Sequence, residues 1–175
     1  IQHPFHRAGG RTSNVSQENM KTIALLAILL VQSALAGTPS EALGSFKKAA
    51  QAKSFDDTWK HAAKFEGLPK EATEYFKAKV QKFIDLTGTG WDFEIIEEKI
   101  EEDCAVVVIN ESKKEGKKAF DLDPAFLIKQ DGEWRVLPEV TDWKIVRKVA
   151  KDKAATFEKL VVWFDKRSEV LKKKE

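Results

Sequence analysis

The spacing of apolar residues changes twice along this chain of 175 residues, and no other feature constrains the fold as much. From Thr38 to Gly90 apolar residues recur every three or four positions, as they do on one face of a helix. From Trp91 to Val140 short apolar segments alternate with turn residues, which is typical of strands. From Thr141 the helical spacing returns. The sequence therefore predicts an α+β fold in which N-terminal helices pack on a curved four-stranded antiparallel sheet and a long C-terminal helix follows.

Each of the three predicted N-terminal helices begins at a recognisable signal. Thr38–Glu41 combines a Thr N-cap, a Pro at the first helical position and a Glu at the third, which is a capping box. Ser54 with Asp57 opens a second helix in the same way, and we expect this helix to end at Gly67. Pro69 opens a third helix. The sequence thus predicts three consecutive helices before the first strand.

Four strands are predicted after the third helix, and short links connect them. They span Trp91–Ile100, Cys104–Glu111, Lys118–Lys129 and Glu133–Val140. Links of this length make successive strands antiparallel neighbours. Asp131-Gly132 between the last two strands is a strong hairpin signal, because both positions favour positive φ. Pro124 interrupts the third strand and predicts either a β-bulge, which would curve the sheet, or a sheet edge.

The predicted C-terminal helix has one broad apolar face and an excess of basic residues. If it continued from Thr141 to about Leu171, it would measure ~45 Å, so we expect a break or a projecting end. Residues 141–175 hold eleven basic and six acidic side chains, whereas residues 91–112 hold eight acidic side chains and one basic. This contrast predicts that the two segments attract each other within the fold. The alternative is that either segment is a docking patch.

A leader pattern begins at Met20. Lys21 supplies a positive start, residues 23–31 are apolar, and Ala34-Leu35-Ala36 has the small residues of a cleavage site. The apolar run is about half of the ~20 residues that a membrane-spanning helix needs. We therefore expect cleavage, no stable membrane span afterwards, and a secreted or periplasmic protein. An uncleaved anchor is the alternative.

On this interpretation the chain divides into four segments. They are a disordered upstream read-through segment at residues 1–19, the signal peptide at 20–36, a cone-type α+β domain at 37–140, and an amphipathic C-terminal helix at 141–175, packed on the domain or projecting.

Charge and cysteine content exclude several classes of protein. Residues 37–175 carry 27 Lys and Arg and 27 Asp and Glu, and this zero net charge argues against nucleic acid as a partner. Cys104 is the single cysteine, so an internal disulfide is excluded. Gly37 is followed by Thr38, and not by the cysteine that a bacterial lipoprotein carries after its signal. This favours an exported protein without a lipid anchor.

The order of three helices and four antiparallel strands resembles that of the nuclear transport factor two-like, or cystatin-like cone, superfamily. Within Asp123–Leu137 an apolar strand ending in Lys129 precedes an acidic-Gly turn and a Trp-basic-Val-Leu strand, as in the closing hairpin of its small exported members. Phe46–Ala50 followed by Ser54–Trp59 looks like their opening helices. Among these members, the chain most resembles small exported bacterial proteins and lipoproteins of unknown function.

The resemblance implies a sheet curled around the helices, with a conical cavity open at one end. In ketosteroid isomerase-like and scytalone dehydratase-like relatives that cavity is an active site, and in many others it binds a ligand or is filled by side chains. Enzymes of this shape need a general base in an apolar pocket and a group that stabilises developing negative charge. The candidates for these catalytic roles are His61, Tyr75, Asp85 and Asp92.

Five tryptophans offer further candidates for binding. Trp91 and Trp143 flank the predicted sheet and are the candidate contacts for a ligand or a partner, whereas we expect most of the others in the core. Cys104 opens an apolar run and is interpreted as a small buried hydrophobe. Residues 37–175 contain one His and one Cys, so neither a metal site nor a cofactor is predicted.

These observations favour an exported, non-catalytic domain that binds a small apolar ligand or an exported protein partner. The alternative is a cofactor-independent isomerase or dehydratase that uses a cavity His or carboxylate. A third hypothesis makes the C-terminal helix the interface of a homo-oligomer, because its apolar face is broad.

Overall fold

Four helices and four strands make up the described part of the chain. The computed structural model describes residues 37–112, 121–138 and 150–173. The elements are helices α1 (Pro39–Gln51), α2 (Phe55–His61) and α3 (Lys70–Gly88), strands β1 (Asp92–Glu101), β2 (Cys104–Ser112), β3 (Asp121–Gln130) and β4 (Glu133–Val136), a short 3-10 helix (Lys151–Lys153), and helix α4 (Ala154–Lys172). The predicted leader, Trp143 and the predicted helix start at residue 141 lie outside the described residues.

The predicted N-terminal caps of α1 and α2 are confirmed. The Glu41 amide donates to Thr38 Oγ1 at 3.1 Å, and the Thr38 amide donates to Glu41 Oε2 at 2.8 Å, which completes the capping box. The Asp57 amide donates to Ser54 Oγ at 3.3 Å in the same manner. These bonds satisfy amide groups that have no partner within their own helix, so they determine where α1 and α2 begin.

Helix α2 ends at His61, and the prediction that it extends to Gly67 is wrong. Ala62 is in an extended conformation and forms an isolated parallel bridge with Val136 of β4. The Ala63 amide donates to the Val136 carbonyl at 2.7 Å. The chain therefore leaves the helix because its backbone is bonded to the free edge of β4, which is a tertiary contact that local helix signals do not contain.

The four strands form one antiparallel sheet in the order β1-β2-β3-β4, as predicted. Asp131 and Gly132 connect β3 to β4 with φ of 52° and 81°, so both adopt the positive φ that the Asp-Gly hairpin signal implied. Strand β4 stops at Val136, whereas we expected it to reach Val140. Leu137 still donates its amide to Phe126, but the following Pro138 has no amide hydrogen to extend the pairing.

A β-bulge lies in β1 and not at Pro124. The pairing of β1 with β2 shifts between Ile95 and Glu97, whereas that of β2 with β3 runs through Pro124 without a shift. Strand β4 pairs with β3 only from Leu127 onward, so of the two predicted solutions Pro124 adopts the sheet edge. The bulge bends the sheet at β1 and increases its local twist.

The sheet is packed on both faces, and β2 lies at its centre. Ala105, Val107 and Ile109 pack with residues of α1 and α3, whereas the alternate residues Cys104, Val106 and Val108 pack with α4. We call these the α1–α3 face and the α4 face. Because both faces of β2 are covered, its sequence is a continuous apolar run instead of an alternating one. The fold is thus three layers, with the sheet between helices.

Helix α4 packs its apolar face on the sheet. Phe157, Leu160 and Phe164 are buried against the α4 face. Ala150 has φ −124° and ψ 53°, outside the helical region, so α4 does not continue as a helix through this residue. Among the helices of the described ranges, none is both long enough and apolar enough to cross a membrane.

Basic residues of α4 and the preceding turn pair with acidic residues of the β1 hairpin. The pairs are Arg167 with Glu97, Lys159 with Glu101 at 3.8 Å, and Lys153 with Asp103 at 3.3 Å. The predicted attraction between the acidic strand and the basic C-terminal segment is therefore confirmed within one chain.

Candidate functional site

A cavity of about 510 Å³ lies at the uncovered edge of the sheet. Helices α1 and α3, all four strands, the segment after β4, and α4 contribute to its wall. Its apolar lining consists of Leu43, Phe46, Phe83, Leu86, Trp91, Phe93, Ile109, Pro124, Ala125, Phe126, Val136, Leu137, Pro138, Val161 and Phe164. Its polar lining consists of Lys79, Lys82, Glu111, Asp123 and Asp165.

The shortness of β4 explains where the cavity lies. Because β4 pairs with β3 only from Leu127 onward, it leaves the edge of β3 around Pro124 uncovered. Residues from both faces of the sheet, such as Ala125 and Phe126, line the cavity at this edge. The same local feature that stops the sheet therefore opens a space beside it.

Four aromatic rings hold one another in place on the cavity wall. Phe83 meets Trp91 edge to face with ring centroids 5.4 Å apart, and Trp91 lies 5.5 Å from Phe93. Phe46 packs on Phe83 with centroids 4.8 Å apart. Contacts of this kind restrict the rotation of the rings. Trp91, which the sequence proposed as a ligand contact, thus occupies a defined position on the wall.

Two carboxyl groups of the wall, those of Glu111 on β2 and Asp123 on β3, lie next to each other. Their side chains hydrogen-bond each other, and the Trp91 indole N–H donates to Glu111. Ionised carboxylates only accept hydrogen bonds, so the bond between Glu111 and Asp123 needs a proton on one of them. The two groups therefore form a proton-sharing pair, on a wall whose other polar side chains are Lys79, Lys82 and Asp165.

Burial raises the pKa of both carboxyl groups above their ordinary values. The pKa of Glu111 is raised first by burial and then by the charges of Asp123 and Asp121, while the hydrogen bond from Trp91 lowers it. The pKa of Asp123 is raised by burial and by Asp121, and is lowered by its bond with Glu111 and by the charge of Lys172. Their mutual bond raises the pKa of Glu111 and lowers that of Asp123, so it favours a proton on Glu111 over one on Asp123.

Asp121 extends the pair to a group of three carboxylates. One oxygen from each of Glu111, Asp121 and Asp123 lies within 4.8 Å of the others. Oxygen ligands of this kind suit hard cations such as Ca²⁺, which takes about six to eight of them. Asp121 is exposed and does not line the cavity.

The predicted catalytic candidates His61 and Tyr75 do not line the cavity. His61 closes α2, and its pKa is lowered by partial burial and then by the charge of Arg135. Tyr75 is 36% exposed on α3, with Phe76 at its edge and Lys79 Nζ 4.9 Å above its ring. Neither side chain therefore reaches the space in which the carboxyl pair lies.

Asp85 and Asp92 are also away from the cavity. Asp85 is exposed and accepts a hydrogen bond from Gln81 at 2.9 Å. Asp92 pairs with Lys47 Nζ at 2.6 Å and accepts from the Phe93 amide at 2.8 Å. Burial raises the pKa of Asp92, but these two partners lower it further, so the net shift is downward.

The other tryptophans of the described residues are buried in the core or packed against it. Trp134 is 6% exposed in the core, and Trp59 and Trp163 are partly buried against it, so these three rings pack as expected. Cys104 is fully buried, as predicted, and burial raises the pKa of its thiol to about 12. Trp143 lies outside the described residues.

The carboxyl pair is not among the predicted site residues, although the sequence carries a signal for it. In β2, Glu111 continues the alternate positions of Val107 and Ile109, and in β3, Asp123 continues those of Ala125 and Leu127. A carboxylate at the inward position of a predicted strand is an exception to binary patterning and marks a candidate site. That the two lie side by side depends on the strand register, which the sequence alone does not give.

The three-layer α+β fold, with its helices before a curved antiparallel sheet, has the element order of the NTF2-like, or cystatin-like cone, superfamily. Residues 33–137 match the model of the family described as Domain of unknown function (DUF4878). The chain therefore belongs to this family. The matched segment ends before α4, so the C-terminal helix lies beyond it.

Comparison with solved structures finds a crystal structure from Campylobacter jejuni described as an NTF2-like transpeptidase. It is 17% identical to this chain, with a TM-score of 0.47, and the match covers 59% of this chain and 100% of that one. No curated protein matches the chain.

Proposed function

We propose that this domain binds a small, largely apolar molecule in the cavity beside β3 and does not catalyse a reaction on it. The cavity itself is the observation that carries this proposal. Its volume of about 510 Å³ falls in the range of about 300–1,000 Å³ that is usual for small-molecule sites. Its wall is apolar apart from a few charged groups, which is the usual composition of such sites.

The position of the aromatic residues also supports binding. Trp91 is only partly buried, although Phe83 and Phe93 hold its ring in place. A large ring that is fixed and still accessible can contact a ligand without a further loss of side-chain entropy.

Filling the cavity tests the proposal. Ala125 lines the cavity, so Ala125→Phe places a ring inside it, whereas Ala155→Phe places the same ring on the exposed side of α4. We expect the neutral apolar dye N-phenyl-1-naphthylamine to gain fluorescence on the wild-type protein and on Ala155→Phe, and to lose most of that gain on Ala125→Phe. Equal dye binding by all three proteins would contradict the proposal.

The carboxyl pair favours one alternative, a cofactor-independent isomerase or dehydratase. A carboxylate held in an apolar cavity with a raised pKa is suited to take a proton from a carbon atom, and Asp123 holds that position. Glu111 would then present its own proton nearby. His61 and Tyr75, the candidates from sequence, lie outside this arrangement.

Proton exchange distinguishes the enzyme from the binding domain. A general base in the cavity would exchange the α-hydrogens of an enolisable ketone, such as 4-phenyl-2-butanone, for deuterium in D₂O. NMR would show faster exchange with the wild-type protein than with Asp123→Asn if the enzyme hypothesis holds. Equal exchange by the two proteins, with the ketone bound, would support the non-catalytic role.

We further propose that the protein works outside the cytoplasm after removal of residues 20–36. The support is the leader pattern, in which residues 23–31 form an apolar run before Ala34-Leu35-Ala36. N-terminal sequencing of the protein recovered from cells would test this. A mature N-terminus near Gly37 is expected, and an intact leader on protein in the cytoplasm would contradict it.

A protein partner remains the second proposal for what the domain binds. Two exposed apolar side chains of α4, Val162 and Val170, lie on the side away from its buried face and are the available contacts for such a partner or a second copy. Light scattering on the wild-type protein and on a Val162→Glu, Val170→Glu variant would detect an oligomer that depends on them. A monomer in both cases would exclude self-association through this helix.

A further inference from the structure

The carboxyl pair on the cavity wall has no basic partner in the part of the chain that is described. The charges of Asp121 on β3 and Lys172 on α4 act on the pair. The other charged groups of the cavity lining are Lys79 and Lys82 on α3 and Asp165 on α4. Among the described residues, no Lys or Arg forms an ion pair with Glu111 or Asp123. Within the described residues the pair therefore has no direct ion-pair partner, although Lys79 and Lys82 line the same cavity and the charge of Lys172 acts on Asp123.

Aromatic rings lie directly beside this charge. Trp91 donates its indole N–H to Glu111, and its ring contacts those of Phe83 and Phe93. The faces of aromatic rings attract cations, and tryptophan does so most strongly. A cationic group bound next to the carboxyl pair would thus have carboxylate oxygens on one side and the aromatic lining of the same cavity nearby.

Given the proposed binding function, we propose that the ligand is an amphipathic organic cation, with a protonated amine on the Glu111–Asp123 pair and an apolar body in the rest of the cavity. The amine supplies the hydrogen-bond donors and the charge that the pair lacks. The apolar body covers the phenyl and aliphatic side chains of the lining and so removes them from water. These include Leu43, Phe46 and Phe83.

Other classes of ligand match the wall less well. A purely apolar molecule would remove water from the carboxyl pair without replacing the hydrogen bonds to that water, and this costs free energy. An anionic group bound at the carboxyl pair would meet like charge. A bare divalent cation needs about six to eight oxygen ligands, and apolar side chains surround the pair on the cavity side.

The shared proton gives the proposal a distinctive signature. A protonated amine favours the ionised form of both carboxyl groups, so it lowers their pKa and displaces the proton that Glu111 shares with Asp123. Binding of the cation should therefore release up to about one proton per ligand. Binding of a neutral analogue should release none.

Three probes of the same apolar body test the charge preference. They are 4-phenylbutylamine, 4-phenylbutanol and 4-phenylbutyrate, each titrated calorimetrically into the wild-type protein at neutral pH. We expect the amine to bind at least about tenfold more tightly than the alcohol, which corresponds to one charge-assisted hydrogen bond, and the carboxylate to bind most weakly. Repeating the titration in buffers with different ionisation enthalpies measures the proton release.

Variants separate the charged pair from the cavity. Asp123→Asn should remove the preference for the amine and the proton release, and leave the affinity for the alcohol within about twofold. Asp85→Asn removes a carboxylate from α3 that does not line the cavity, so it should preserve the preference.

The outcomes distinguish this proposal from the proposed function. If none of the three probes binds, the binding function itself fails. If the alcohol binds as tightly as the amine, or if Asp123→Asn keeps the preference, the cavity binds ligands but the cation inference is wrong. Loss of amine binding in the presence of Ca²⁺, with Ca²⁺ binding on its own, would assign the carboxylates to a metal ion and would also overturn it.

Discussion

Arg167 on α4 donates from Nε and Nη2 to the two carboxylate oxygens of Glu97 on β1, the second bond at 2.8 Å. The β-bulge makes this pairing possible. It places Glu97 on the α4 face, opposite Val108, and Glu98 on the other face, where its carboxylate accepts from the Ser40 amide and hydroxyl. Adjacent residues of one strand thus bind two different helices. The Arg167–Glu97 ion pair thus connects α4, which lies beyond the family match, to the matched domain.

Breaking this pair is expected to destabilise the protein modestly, and less so at high salt. Both side chains are partly exposed, so Arg167→Ala and Glu97→Gln should each lower the melting temperature by no more than a few degrees. The two single variants and the double variant form a double-mutant cycle. The coupling free energy between Arg167 and Glu97 should decrease as sodium chloride is added. Additive effects of the two changes at low salt would show that the pair contributes nothing, and Lys166→Ala on the exposed side of α4 is the control.

Removing the buried face of α4 is expected to be far more damaging. Phe157 is fully buried and meets Phe126 of β3 with ring centroids 6.0 Å apart. Phe157→Ala should cost about 3–5 kcal/mol of the free energy of unfolding, because it leaves a cavity in the core. Val162→Ala, at a side chain 52% exposed, should change it by less than about 0.5 kcal/mol. Urea denaturation measures both, and a small effect of Phe157→Ala would mean that α4 is not part of the folded core.

The predictable part of this fold is the part whose signals are local. Thr38 and Ser54 cap their helices with bonds to residues three positions away, and the Asp131-Gly132 turn needs only its own φ angles. The apolar run of β2 also identified a strand. Each of these features depends only on residues that are close together in the chain, so one sequence is enough to predict its position.

The features that sequence analysis missed depend on pairing across the chain. The end of α2 at His61 follows from the bridge between Ala62 and Val136, which are far apart in sequence. Glu111 and Asp123 meet only because of the register between β2 and β3. Asp85 and Asp92 were reasonable candidates by position, yet the register and helix packing place other carboxylates at the cavity.

The raised pKa of Asp123 predicts how the stability of the protein changes with pH. A carboxyl whose pKa is higher in the folded than in the unfolded chain stabilises the fold below the unfolded pKa, and this contribution is lost as the pH rises through the folded pKa. The pKa of Asp123 is raised, so the wild-type protein should lose stability relative to Asp123→Asn as the pH rises from about 4. At neutral pH the Asn variant should melt a few degrees higher.

Melting curves of the two proteins between pH 4 and 8 would measure this difference, with Asp85→Asn as the control that should follow the wild type. A melting temperature of Asp123→Asn that stays below that of the wild type, by a margin that grows with pH, would contradict the assignment. That result would mean that the ionised form of Asp123 is stabilised in the fold.

Burial of Cys104 predicts a thiol that reacts only when the fold opens. Its side chain is fully buried between β2 and α4, and burial raises the pKa of the thiol to about 12, so almost no thiolate is present at neutral pH. We expect Ellman's reagent to label the native protein very slowly, and one thiol per chain at once in guanidinium chloride. Phe157→Ala should accelerate labelling of the native protein, because a less stable core opens more often. Rapid labelling of the wild-type protein in the absence of denaturant would show that α4 does not cover this face of the sheet.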